Sequence, residues 1–160
     1  MYLVVTTDYK RIEYRPNGSN KIFYRRKEAG VWLDWKEVTN NQTDTGWVTF
    51  DLINGAKSNT AYKGSGDGGF DCAYRTITNG SEVTKKLRIN GTNLTQNQVI
   101  AQLPANFAKN AQAFPVRVPI SSASGYIVIR PSGRVNFYVS GDTSNWNETA
   151  YAYGECTWHD

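Results

Sequence analysis

The sequence predicts an all-β protein, in which a small antiparallel N-terminal sheet precedes a larger β-sandwich. Aromatic residues make up 13% of the chain and glycine is frequent, whereas methionine is scarce. This composition favours strands and turns. Within residues 82–90, Val83, Leu87 and Ile89 lie on one side of an alternating pattern, and residues 99–103 show a second such pattern. A period of two indicates strands that are buried on one face.

Four short strand patterns occupy the first 39 residues. A turn is expected at residues 16–18, where proline and glycine supply the backbone angles that a turn requires. Residues 27–30 are expected to form a four-residue hairpin loop. Trp32 and Trp35 are three positions apart in the last strand, so they are predicted to face opposite sides. The four predicted strands are Tyr2–Thr7, Lys10–Arg15, Lys21–Arg26 and Val31–Val38.

A polar segment separates this region from the rest of the chain. Residues 40–45 contain no apolar side chain, which is typical of a linker between domains. The sequence therefore predicts a small β segment over residues 1–39 and a sandwich domain over residues 46–160. The first strand of the sandwich is expected at residues 47–52, where apolar and polar side chains alternate.

Further strands of the sandwich are predicted at residues 71–78 and 116–120, with an extended loop over residues 105–113. Pro115 and Pro119 place the later strand at a sheet edge, because proline cannot donate a hydrogen bond to a neighbouring strand.

A hairpin is predicted from residues 126–130 and 134–139. Pro131 fits the second position of a type I turn, and Gly133 fits the left-handed residue that follows it. In the last strand, at residues 150–158, small side chains alternate with tyrosines, so one face is expected to enter the core.

The charge pattern excludes some classes of function. The formal net charge is +4, but no long basic run occurs, so a nucleic-acid partner is not expected. No stretch of about 18 apolar residues is present, so neither a membrane span nor a membrane partner is expected. Residues 2–6 are apolar but too few for a signal peptide, so none is expected.

Catalytic and metal-binding arrangements have little support in the sequence. His159 is the single histidine and lies next to the C-terminus, where a side chain is rarely held rigidly. Cys72 and Cys156 could form a disulfide, although reduced thiols are favoured for a protein assembled in a cytoplasm. A carboxylate pair for glycoside hydrolysis would come from Asp142, Glu148 and Glu155. Such a pair needs a defined distance between its two carboxyl groups, and nothing in the sequence fixes that distance. The expected protein is therefore not an enzyme and has no metal or other cofactor.

An ordered set of motifs resembles a known family. The segment VIAQLPANF, followed by GYIVIRPSGRVNFYV, is similar to the C-terminal head domain of receptor-binding proteins from the tails and baseplates of phages of Gram-positive bacteria. The resemblance covers residues 46–138. The matching residues are Tyr74, Arg75, Ile77, Leu87, Ile89, Gly91, Ile100, Ala101, Leu103, Pro104, Phe107, Gly125, Ile127, Ile129, Gly133 and Val135.

Residues 21–38 resemble the end of the small knob domain that often precedes such heads. The absent N-terminal part of that knob leaves two interpretations, a piece of a longer fibre or a fibre that begins here. The resemblance implies a jelly-roll-like head, a homotrimer, contacts with other tail or baseplate proteins, and a place in the virion after assembly in the host cytoplasm. It implies attachment to a host cell-surface glycan, either cell-wall polysaccharide or teichoic acid.

The C-terminal stretch is the candidate saccharide site. Residues 135–160 contain no Lys or Arg, which suits a neutral or cationic ligand better than a polyanion. Aromatic rings can stack on the C–H face of a sugar while polar side chains bind its hydroxyls. The candidate ligand-binding residues are Trp146, Asp142, Asn145, Tyr151, Tyr153, Glu155, Trp158 and His159. The alternatives are a structural subunit that presents another adhesin and, less favoured, a polysaccharide depolymerase.

Overall fold

The computed structural model describes residues 3–6, 9–19, 21–38, 42–64, 66–121 and 123–160, with the backbone alone for residues 3–6 and 9. These residues form strands, turns and irregular segments and no helix, which confirms the predicted all-β class. Among the same residues there is accordingly no helix that could cross a membrane. The chain divides into two compact units, Met1–Asn41 and Gln42–Asp160.

The first unit is a single antiparallel sheet. Its strands are β1 (Leu3–Thr6), β2 (Tyr9–Tyr14), β3 (Ile22–Glu28), β4 (Val31–Trp32) and β5 (Lys36–Val38). The strand order is β1-β2-β3, and β3 also pairs with both β4 and β5. The hairpin loop between β3 and β4 has two residues, not the predicted four, because Ala29 and Gly30 both adopt positive φ and close the turn tightly. Tyr2 and Thr7 of the first predicted strand lie outside the described residues.

The two tryptophans of the first unit share one cation. The Arg25 guanidinium lies 4.8 Å from the ring centroid of Trp32 and 5.0 Å from that of Trp35. The prediction that these rings face opposite sides is therefore wrong. The strand ends at Trp32, so the alternation of a strand does not extend to Trp35.

The second unit contains two antiparallel sheets. Its strands are β6 (Gln42–Asp44), β7 (Val48–Thr49), β8 (Lys57–Ser58), β9 (Ala73–Asn79), β10 (Glu82–Thr92), β11 (Gln98–Gln102), β12 (Gln112–Val116), β13 (Ala123–Ile129), β14 (Arg134–Gly141) and β15 (Tyr151–His159). One sheet has the order β15-β10-β9-β6, with β7 on β9 and β8 on β10. The other has the order β11-β14-β13-β12.

The core lies between these sheets and follows the period of two. On β10, Leu87 and Ile89 are fully buried. On β14, Val135, Phe137 and Val139 are buried on the facing side. Burial of these side chains is the main stabilising contribution to such a sandwich, because each removes a large apolar surface from water.

The β13–β14 hairpin confirms its sequence prediction. Gly133 has a φ of +85° and donates its N–H to the carbonyl oxygen of Arg130 at 2.8 Å. A side chain at Gly133 would collide with the backbone of Leu103, so both the turn and the neighbouring loop require glycine there.

Three other predictions of local structure need correction. Residues 42–44 of the expected linker form β6 and pair with β9, while residues 40–41 lie outside the described residues. The strand expected at residues 47–52 is short, because only residues 48–49 pair with β9.

The edge strand expected at residues 116–120 is β12, which lies four residues earlier and begins within the predicted loop. Phe114 and Val116 point into the core and fix this position, and Pro115 lies at the sheet edge as proline requires. Beyond Val116 the chain leaves this sheet, and Arg117 forms an isolated antiparallel bridge with Tyr153 of β15.

Candidate functional site

The last strand divides its side chains between core and surface. Ala152 is fully buried, Cys156 is partly buried against the core, and Tyr151, Tyr153 and Glu155 lie on the opposite face. This confirms the predicted alternation of β15. The outward face of the six-stranded sheet is therefore the surface that carries the predicted tyrosines.

Two of the predicted sugar platforms pack in or against the core instead. Trp158 is 6% exposed and packs edge-on against Phe107, with ring centroids 5.5 Å apart. Trp146 stacks on the buried Phe137 at 5.7 Å and donates its indole N–H to the carbonyl oxygen of Leu94 at 2.7 Å. The Trp158 ring fills part of the interior and the half-buried Trp146 ring packs on the core, so neither is a freely exposed stacking surface.

Asp142 and Asn145 are exposed in the loop before β15 and have local contacts. The Asp142 carboxylate accepts the backbone N–H of Ser144 at 3.0 Å, which lowers the pKa of that carboxyl. The carbonyl oxygen of Asn145 accepts the side-chain amide of Asn147 at 3.2 Å. These bonds shape the loop.

His159 lies at the far end of β15 from the tyrosines. Its Nδ1 is 3.2 Å from Thr84 Oγ1 and 3.4 Å from Glu82 Oε1. Eight strand residues separate it from Tyr151, or about 26 Å at 3.3 Å per residue. One sugar ring cannot contact both residues, so the predicted set is not a single site.

The C-terminal stretch does not lie in a cation-free environment. β15 pairs with β10 along its length, and this register places Lys86 and Arg88 beside Glu155. Arg88 Nε donates to Glu155 Oε2 at 2.8 Å, and Lys86 Nζ lies 3.5 Å from Glu155 Oε1. On sequence alone, the absence of Lys and Arg in residues 135–160 favours a neutral or cationic ligand. That inference is wrong, because the neighbouring strand supplies both residue types.

An aromatic row runs across the outward face of this sheet, formed by Trp47, Phe70, Tyr153 and Tyr62. Arg88 joins its first two members, with its guanidinium carbon 3.7 Å from the ring centroid of Trp47 and 4.8 Å from that of Phe70. Phe70 stacks on Tyr153 at 4.4 Å, and Tyr153 contacts Tyr62 at 4.7 Å. All four rings are half-buried, so they support one another more than they form an open platform.

A buried asparagine anchors the loop that carries Tyr62 and Phe70. Asn90 of β10 is 1% exposed, and its side-chain amide donates to the carbonyl oxygens of Ala61 at 3.0 Å and Phe70 at 2.9 Å. A side chain at Gly69 would collide with the backbone of Tyr62, so glycine is required for the loop to close. The loop is thus a built part of the site and not the free glycine-rich segment that its composition indicates.

Arg117, directly after β12, is hydrogen-bonded to Tyr151. Hydrogen bonding to Arg117 and then to Tyr62 lowers the pKa of Tyr151. Hydrogen bonding to Tyr151 raises the pKa of Tyr62. The Arg117 guanidinium also lies 5.6 Å from the Tyr62 ring centroid. These contacts hold Tyr151 beside the end of β10.

A polar cleft of about 320 Å³ opens at this end of the sheet. Thr92 is central to it, since the residue pairs with Lys57 of β8 on one side and Tyr151 of β15 on the other. Thr92 Oγ1 and the Asn93 N–H both donate to the carbonyl oxygen of Glu148, at 2.8 and 2.9 Å. The cleft is lined by Lys57, Asn59, Thr92, Asn93, Glu148 and Thr149.

The chemistry of the cleft is that of a binding site for a polar ligand. Its lining offers an ammonium, a carboxylate, amides and hydroxyls. Tyr151 is the cross-strand neighbour of its central residue, Thr92. Among the described residues, no group of three His, Cys, Asp or Glu side chains could hold a metal ion. The two cysteines are free thiols in the structure, with Cys72 buried and Cys156 half-buried.

Of the predicted site residues, Tyr151 pairs with Thr92 of the cleft, Tyr153 belongs to the aromatic row, and Glu155 accepts from the Arg88 side chain that joins the row. Sequence reasoning missed Lys57, Asn59 and Tyr62, which come from other parts of the chain. Their positions depend on pairing between β8, β10 and β15, and no local pattern marks them. Comparison with known proteins adds no relative, since no family model, curated protein or solved structure matches the chain.

Proposed function

We propose that this chain is a receptor-binding module of a phage tail or baseplate, which attaches the virion to a saccharide of the host cell surface. The resemblance over residues 46–138 supports the phage assignment. The observation that carries the saccharide assignment is the polar cleft beside Tyr151. Its volume of about 320 Å³ lies within the range of small-ligand sites.

A sugar ring matches the two kinds of surface found there. Its C–H face packs on an aromatic ring, for which Tyr151, the cross-strand neighbour of Thr92, is the candidate, while its hydroxyls bind amides and carboxylates. Asn59 and Glu148 supply these groups from the lining of the cleft. The ligand would be a unit of cell-wall polysaccharide or teichoic acid, bound without chemical change.

The test is binding to an array of cell-wall polysaccharides and teichoic acids, followed by the Asn59→Ala variant. We expect this variant to keep its fold and lose about 1–2 kcal/mol of binding free energy, the usual loss for a hydrogen bond to a ligand hydroxyl. Asn110→Ala is the matched control, because Asn110 is exposed in the loop before β12 and does not line the cleft.

Two results would contradict the proposal. A folded protein that bound no glycan would remove the receptor-binding role. Shortening of the polysaccharide during incubation would replace binding alone with a depolymerase activity.

A second candidate function, a structural subunit that presents another adhesin, is favoured by the surface of the first unit. None of its described side chains is fully buried. Four of its hydrophobic side chains are among the most exposed in the described residues, Tyr14 at 55%, Val31 at 64%, Trp35 at 44% and Val38 at 42%. A single-layered sheet with such a surface is stabilised when a partner covers it.

The expected partners are other copies of this chain and other tail proteins. Sedimentation should then give a trimer of about three times 18.0 kDa. Tight binding to another tail protein, with no binding to glycans, would favour the structural role over the receptor-binding role.

A further inference from the structure

The two charged groups in the polar cleft are not used by the protein itself. Neither Lys57 nor Glu148 takes part in an ion pair within the described part of the chain, with each other or with any other residue. Both side chains are exposed at the cleft. By contrast, Glu155 on the same sheet forms ion pairs with Arg88 and Lys86.

The backbone keeps these two charges on opposite sides of Thr92. Lys57 belongs to β8, which pairs with Thr92 on one side. Glu148 belongs to the segment that leads into β15 on the other side, and its carbonyl oxygen is fixed by the Thr92 hydroxyl and the Asn93 N–H. Because β8 and β15 pair with opposite sides of β10, they are two strand spacings, or about 10 Å, apart. This width accommodates one sugar ring.

From this arrangement we propose that the cleft selects a zwitterionic sugar, with an anionic substituent bound by Lys57 and an amino substituent bound by Glu148. The inference rests on the proposed function and specifies its ligand class. Charge-assisted hydrogen bonds from both ends would orient the ring. Asn59 and Thr149, which also line the cleft, would bind hydroxyls. A neutral sugar would leave both charges without a partner.

Four related monosaccharides test the idea because they differ only in charged substituents. These probes are glucosamine 6-phosphate, glucose 6-phosphate, glucosamine and glucose, with binding measured by amide chemical-shift titration. Glucosamine 6-phosphate should bind most tightly, and each charged substituent should contribute about 3- to 10-fold in Kd, as expected for partly exposed charge contacts.

Variants assign each contribution to one side chain. Lys57→Met should remove the gain from phosphate and keep the gain from the amine. Glu148→Gln should do the reverse. Lys109→Met and Glu82→Gln are matched controls that do not line the cleft, and they should leave the order of the four sugars unchanged.

The inference and the proposed function fail in different ways. Equal affinity for all four sugars, or the same order in Lys57→Met and Glu148→Gln as in the parent protein, would overturn the zwitterion selectivity while saccharide binding stands. Binding of cell-wall polymers with no binding of any of the four sugars would also overturn it. Absence of binding to every saccharide would overturn the proposed function as well.

Discussion

The guanidinium of Arg88 lies over the Trp47 ring, with the guanidinium carbon 3.7 Å from the ring centroid, and it also donates to Glu155 at 2.8 Å. This one side chain thus links β10, the segment before β7 and β15. Phe70 lies on it as well, at 4.8 Å. Arg88 therefore holds together three segments of the outward face of the six-stranded sheet.

Arg88→Ala should lower the free energy of unfolding by about 1–3 kcal/mol, because it removes cation–π contacts and leaves Glu155 with a weaker partner. Arg88→Lys should recover only part of this loss, since an ammonium lacks the planar face that stacks on Trp47. Chemical denaturation measures both values. Arg134→Lys is the control, as Arg134 is exposed on β14, and a loss in that variant equal to the loss in Arg88→Lys would contradict this role.

The stability of the protein should fall in acid through a second ion pair on the same sheet. Arg75 of β9 donates to both carboxylate oxygens of Asp44 on β6. This hydrogen bonding lowers the pKa of Asp44 from 3.8 to about 2. In the unfolded chain Asp44 takes up its proton near pH 3.8, whereas in the folded chain it does so only near pH 2. The Asp44–Arg75 pair therefore makes its full contribution to the free energy of unfolding above about pH 4, and this contribution is lost as the pH falls toward 2.

The Asp44→Asn variant tests this pH dependence. Its unfolding free energy should be lower than that of the parent protein at neutral pH, and the two should converge between about pH 4 and pH 2. A constant difference between the two proteins across that range would show that the pair does not titrate as described.

Trp146 is expected to stabilise the fold and not to bind sugar. Trp146→Ala should cost about 2–4 kcal/mol, because the ring stacks on the buried Phe137 and its removal leaves a cavity. Trp146→Phe should cost less, about 1–2 kcal/mol, since it loses mainly the hydrogen bond to Leu94. A Trp146→Ala protein with an unchanged melting temperature and no adsorption to host cells would instead restore Trp146 as a sugar platform.

The parts of the fold that the sequence predicted are those governed by local alternation. Leu87 and Ile89 of β10, and Ile127 and Ile129 of β13, are each two positions apart, and the structure buries all four. Pro131 and Gly133 fix a turn through their own backbone preferences. Many residues of the motif that resembles phage head domains are these same core positions, so the motif reports how the chain packs more than what it binds.

Predictions failed where position depends on distant pairing. β12 lies four residues from its expected place because Phe114 enters a core that the other sheet provides. Trp158 is an aromatic residue in a polar stretch, yet it packs on Phe107 of another loop. The polar cleft unites Lys57 with Glu148, which are separated by most of the domain, and composition within either segment could not reveal it.

The register of β14 can be tested by two neighbouring aromatic residues. Phe137 is fully buried, whereas Tyr138 lies on the outward face and stacks on Tyr126 at 4.9 Å. Phe137→Ala should cost about 3–5 kcal/mol through the cavity it leaves. Tyr138→Ala should cost clearly less, since it loses mainly an aromatic pair contact. Equal losses, or the reverse order, in chemical denaturation would indicate that the strand has the opposite register.

Both cysteines should be unreactive thiols in the folded protein. Burial raises the pKa of Cys72, and it raises that of Cys156 to about 12. The Cys156 thiol also donates a weak hydrogen bond to the carbonyl oxygen of Leu87 at 3.7 Å. Because the thiolate is the reactive form, labelling with a disulfide reagent at about pH 8 should be slow in the native state.

In concentrated guanidinium chloride without reductant, two thiols per chain should react at once, and Cys156→Ser should reduce this number to one. Failure to detect thiols in the unfolded chain would mean that the two cysteines are bonded. Rapid labelling of the native protein, lost in Cys156→Ser, would mean that β15 opens often enough to expose its buried face. The strand that carries Tyr151 and Tyr153 would then be a mobile edge, and the tyrosines could not hold a ligand beside the polar cleft.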